Sequence, residues 1–125
     1  MERVRSTLPL VVKAGLHEGA DARREPFDAE KLRHGIAIAC AKRPISSAAI
    51  DRLVDGIEAQ LEALAVEEVP SQVIGEMVLD ALRELDGVAY IRYAVVFLGL
   101  DDLAAVRDEI DRLLTGRTVG AGASR

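Results

Sequence analysis

The sequence predicts a mainly helical (α+β) fold, in which a small N-terminal β element leads into a four-helix bundle and one further C-terminal helix. Three observations carry this. Half of the 125 residues are hydrophobic, yet only 3% are aromatic and none is tryptophan; such an aliphatic composition suits packed helices better than a β-sandwich. After Asp28 the apolar residues recur at three- and four-residue spacing, the period of one helix face. Before Asp28 that period is missing, and β-branched and pre-proline residues take its place.

Each element follows from local chemistry. LPLVVK (8–13) and RREPF (23–27) read as short extended segments: Val11 and Val12 favour a strand, and Pro26 biases Glu25 away from helix. AGLHEGADA between them has no helix period and exceeds what a tight hairpin needs. Asp28 caps a first helix with Leu32, Ile36, Ala39 and Cys40 on one face, and Lys42 and Arg43 suit its C-terminus before Pro44. Ser46 or Ser47 caps the second, which carries Ile50, Leu53, Val54, Ile57, Leu61 and Leu64. Pro70 and Ser71 open the third, with Ile74, Met77, Val78, Ala81, Leu82 and Leu85 inward. VAYIRYAVVFLGL (88–100) is apolar almost all round, which predicts a fourth helix at the centre of the molecule and more buried than the others. Asp101 or Asp102 caps a fifth, with Leu103, Val106, Ile110, Leu113 and Leu114 inward. From Thr115 onward no core residue remains. Residues 1–114 are therefore expected to form one domain and 115–125 a disordered tail.

The composition also excludes function classes. A single cysteine, Cys40, gives no internal disulfide, and a reducing, cytoplasmic setting fits. The net charge of −5 argues against a general nucleic-acid coat. One cysteine and two histidines, His17 and His34, offer no ligand spacing for structural zinc. No segment has the length to span a membrane. No Ser/His/Asp or Cys/His arrangement suggests catalysis, and Glu67–Glu68 and Asp101–Asp102 read as boundary residues. The chain is expected not to be an enzyme.

An anion site is the stronger reading. Lys13 ends the first extended segment, Arg23 and Arg24 begin the second, and Lys31 sits in the first turn of the helix. A lysine there opposes the helix dipole, at a cost of about 0.3–1 kcal/mol. If the strands pair and fold onto the helix, the four cations converge on its N-terminal amides, which together suit a phosphate.

LPLVVK, RREPFDAEKL and ACAKRPIS, followed by EVPSQVIGEMVLDALRELDGVAYIRYAVVF, resemble the ATP-cone domain. The likeness runs over roughly residues 2–110 and is strongest to the version in the NrdR repressors of ribonucleotide reductase genes. It implies a β-sheet lid over the helices, with ATP or dATP bound beneath as an effector, with or without Mg²⁺. It further implies that Val11, Val12 and Lys13 lie against the nucleotide, with Lys13 on phosphate. By the same likeness Glu25 stands near base and sugar, Asp28 helps define the adenine pocket, Lys31 reaches phosphate, and Ser71 and Ile74 close the far side. Nucleotide-dependent homo-oligomerisation is implied, as is DNA contact only through a four-cysteine zinc ribbon that this sequence does not contain.

The sequence departs from the family pattern in three places. Ala14 stands where a second basic residue is usual, GLHEGADA replaces a tight turn, and Phe97, Leu98, Gly99 and Leu100 replace a Tyr-Arg-Ser-Phe run. Each lost charge-assisted contact weakens binding by about 1.5–3 kcal/mol. A second reading stays open: a degenerate cone, without nucleotide, that serves as a protein–protein interaction domain.

Overall fold

A computed structural model describes residues 8–14 and 23–122, with side chains as far as residue 116. The GLHEGADA segment, with His17, lies outside the described residues.

The chain runs β1 (Val11–Ala14), β2 (Arg23–Pro26), α1 (Ala29–Ala39), α2 (Ser47–Leu64), β3 (Glu68–Pro70), α3 (Ser71–Leu85), α4 (Gly87–Phe97) and α5 (Leu103–Gly122). The strands form one sheet in the order β2-β1-β3. β1 and β2 are antiparallel, with Lys13 opposite Arg24 and Ala14 opposite Arg23. β3 is parallel to β1, pairing Val12 with Val69 and Lys13 with Pro70. The third strand has no counterpart in the sequence reading, which leaves Glu67–Glu68 at a helix boundary. Three residues are too few for a periodic signal. Tertiary contact makes the strand instead: Val11 N–H donates to Glu67 C=O at 3.0 Å, and Val69, only 3% exposed, is driven into the core.

The helix starts obey their capping residues. The Asp28 carboxylate accepts from the amides of Glu30 and Lys31, Ser46 Oγ from Ala49, and Asp86 from Ala89. Asp102 accepts from Ala105 at the head of α5. The end of α1 differs from expectation. The helix stops at Ala39 and Lys42 takes a positive φ of 64°, so Lys42 and Arg43 lie past the last turn. Arg92 of α4 serves that end instead, donating to the carbonyls of Ala39 and Ala41. Arg43 reaches across to Asp86, the cap of α4, at 3.1 Å.

Helices α1, α2, α3 and α4 pack in that order around a closed ring, since α4 returns to α1, and α5 adds to α4. The core is aliphatic, with Ile36, Val54, Ile57, Leu61, Val78 and Leu82 almost wholly buried, each side chain stabilising the fold by about 1.5–3 kcal/mol. α4 is not the most buried helix. Its buried residues are Ala89, Tyr90 and Ala94, while Val88 is 43% and Val96 82% exposed. Small residues let its neighbours approach closely, and what they leave uncovered faces outward.

α5 is turned differently from its apolar stripe. Leu113 is buried, but Leu103 and Leu114 face solvent, and the side chain placed inward is Glu109. Its charge is met by the Tyr90 hydroxyl at 2.7 Å and by Arg112. The helix also continues to Gly122, past the Thr115 boundary at which the sequence reading starts a disordered tail. No proline stops it, and a nucleated helix extends one hydrogen bond at a time.

Candidate functional site

A cavity of about 400 Å³ lies between the sheet and the helices. Val12 and Ala14 of β1 and Arg23 and Glu25 of β2 form one wall, and Phe27, Asp28, Lys31 and Leu32 line it where the chain enters α1. Ser71, Ile74 and Gly75 of α3 and Tyr93 and Phe97 of α4 complete it.

Strand alternation decides which cations face it. Side chains two apart share a face of a strand, so Val12 and Ala14 turn to the cavity and Val11 and Lys13 away. On β2 the same rule selects Arg23 and Glu25. Arg24 stays on the outer face, where its Nε meets Glu68 Oε1 at 2.9 Å. Of the ten residues singled out from sequence, Val12, Arg23, Glu25, Asp28, Lys31, Ser71 and Ile74 line the cavity; Val11, Lys13 and Arg24 do not. The expected convergence of four cations is thus a convergence of two.

The helix amides expected to receive phosphate are also differently used. Asp28 Oδ1 takes the amide of Glu30 at 3.0 Å and that of Lys31 at 3.2 Å, so a carboxylate already occupies the start of α1. The start of α3 is open by comparison: its N-cap is Pro70, which supplies no side-chain hydrogen bond. The β1–β3 register ends with Lys13 opposite Pro70, and Ser71, the next residue, lines the cavity together with Arg23.

Lys31 meets a carboxylate rather than standing alone, its Nζ lying 3.2 Å from Glu25 Oε1. These side chains are 71% and 44% exposed, and an ion pair so open to water contributes about 0–1 kcal/mol.

The apolar lining of the cavity is the part that the sequence reading missed. Phe27, Leu32, Gly75, Tyr93 and Phe97 all line it. Tyr93 and Phe97 lie one helical turn apart with ring centroids 6.1 Å from each other, and burial pushes the Tyr93 phenol pKa up. A signal was present: the two aromatics stand at i and i+4, and α3 carries a lone glycine within its apolar face. Among the described residues no group of three or more His, Cys, Asp or Glu stands where it could hold a metal ion, and no helix is long and apolar enough to cross a membrane.

Comparison with known proteins agrees with this arrangement. The model of the ATP cone domain matches residues 19–101. The transcriptional repressor NrdR of Symbiobacterium thermophilum is 45% identical over 117 residues, covering 94% of this chain and 74% of the relative. That of Herpetosiphon aurantiacus is 47% identical over 113 residues, covering 90% and 71%. The NrdR of Syntrophotalea carbinolica is 43% identical over 113 residues, covering 90% and 68%. A lid-like sheet on a helical bundle, a cavity between them and likeness over nine-tenths of its length lead to one conclusion: the chain belongs to the ATP-cone family, in the form carried by the NrdR transcriptional repressors.

Proposed function

We propose that the cavity binds an adenine nucleotide, ATP or dATP, as a regulatory effector rather than a substrate. One observation carries the reading: a single cavity is lined both by aromatic and aliphatic side chains, Phe27, Leu32, Ile74, Tyr93 and Phe97, and by two cations, Arg23 and Lys31. A nucleotide has the same division into flat base and charged phosphates. Glu25 and Asp28 supply acceptors for hydroxyl and amino groups, and Ser71 with the uncapped start of α3 adds donors. Mg²⁺ would travel with the phosphates.

Lys13 keeps the phosphate role that the resemblance gives it only if the phosphates run past the edge of β1. Among the described lining residues none forms a nucleophile–base pair, which supports reading the nucleotide as a signal. The relatives are repressors by name, and by analogy the domain acts in control of ribonucleotide reductase genes, through DNA contacts made by a zinc ribbon. Exposed Val96, Leu103 and Leu114 on α4 and α5 suit association between copies. Nucleotide can alter that association only by binding one assembly more tightly than another.

Calorimetric titration with ATP and dATP, each with Mg²⁺, alongside light scattering, tests the reading. Micromolar binding with a change in mass supports a nucleotide sensor. Absence of both sinks it in favour of the second reading, an interaction domain without ligand. The balance of Arg23 and Lys31 by Glu25 and Asp28, and Ala14 in place of a cation, favour that alternative.

A further inference from the structure

Gly75 is buried in the middle of the apolar face of α3. A Cβ added there would lie 2.0 Å from Cε1 and 2.3 Å from Cζ of Phe97, far inside the separation of about 3.5–4.0 Å at which carbons rest. The Phe97 ring therefore fills the volume that any other side chain at 75 would occupy. Gly35 and Gly56, also within helices, have nothing within 4 Å of an added Cβ, so the seat is particular to Gly75. Glycine within a helix weakens it relative to alanine, and a ring seat is the compensating gain at this position.

Phe97 stands in the last turn of α4, which closes at Gly99 with φ +67° and paired bonds from Gly99 to Val96 and from Leu100 to Val95. That turn holds the ring's starting point fixed. A second cavity of about 600 Å³ is lined by Gly35, Ile38 and Ala39 of α1 and by Arg92 and Val96 of α4. Tyr93 and Phe97 line both cavities.

We propose that Phe97, seated on the bare Cα of Gly75, is the end wall that limits the size of base the cavity accepts. Removing the ring joins the cavity under the sheet to the one between α1 and α4. The inference rests on the nucleotide reading above and adds to it the residue pair that sets ligand size.

The test uses the full chain and three variants, Phe97→Ala, Gly75→Ala and the double variant. Thermal melts without ligand check the seat. Gly75→Ala lowers Tm when Phe97 is present, because the ring must leave, and leaves Tm unchanged or raises it in the Phe97→Ala background. Equal changes in both backgrounds overturn the seat. Titration then compares ATP with N6-benzyl-ATP and 2-methylthio-ATP, which enlarge two edges of the base. The parent chain should bind at least one enlarged analogue about tenfold or more weakly than ATP, and Phe97→Ala should close most of that gap. A Phe97→Ala chain that discriminates as the parent does, or a parent that takes all three alike, overturns the end wall while ATP binding still stands. A parent chain that binds no adenine nucleotide overturns the nucleotide reading and the size limit with it.

Discussion

Lys31 shows how a residue whose place in a helix follows from sequence can still surprise in three dimensions. Its place in the first turn of α1 is what RREPFDAEKL predicts, and it lines the cavity, but the partner it holds is Glu25. Arg23 is the second cation at the cavity, whereas Arg24 and Lys13 are turned from it by strand alternation. Lys31→Ala and Arg23→Ala should each weaken ATP binding about tenfold or more, measured by calorimetry, with unchanged melting temperature. Unchanged affinity in both would remove the phosphate assignment. Lys13→Ala separates two phosphate paths: a small effect keeps the phosphates under the sheet, and a loss equal to that of Lys31→Ala takes them past the edge of β1. That Lys13 and Arg24 do not line the cavity was not legible, because residue type marks a cation but not the face of a three- or four-residue strand.

At the scale of elements, helix ends carry the sharpest expectations. Asp28 accepts from two amides at the start of α1, so Asp28→Ala should lower unfolding free energy by about 0.5–2 kcal/mol, read from denaturant titration. The end of α2 is strained in a way that sequence does not show. Ala65 takes the left-handed conformation, φ 55° and ψ 43°, which disfavours any residue with a Cβ. Ala65→Gly should raise stability by about 0.5–1 kcal/mol; a lower midpoint in the same titration would contradict it. The strongly periodic helices α1 to α3 were legible because each reports its own face, and α1 and α2 their own caps as well. β3 was not, because three residues become a strand only when β1 is already there to pair with them.

For the whole molecule, two carboxylates tie parts distant in sequence, and both should make stability depend on pH. The Ala89 amide holds the Asp86 carboxyl below its ordinary range, against the opposing effect of burial, with Arg43 adding to the lowering. For Glu109 burial pushes the pKa up, but the Tyr90 hydroxyl and Arg112 outweigh it and the net shift is downward. A carboxylate with a depressed folded-state pKa contributes stability that is complete above its unfolded value and is lost as pH falls through the folded one. Melting temperature should thus be flat with respect to these groups near neutrality and fall below pH ~4. Glu109→Gln should flatten part of that fall. Tyr90→Phe should leave a buried carboxylate short of a partner and cost about 1–3 kcal/mol, with faster amide exchange in α5 as its local signature.

The sequence by itself determined the helical bundle, the order of its helices, most of their inward faces and the family, because periodicity, caps and motifs are local and repeat along the chain. Tertiary structure alone decided the third strand, the inward Glu109 of α5, which cations face the cavity, and the seating of Phe97 on Gly75. Each of these joins residues far apart in sequence, and its free energy exists only once both partners are in place.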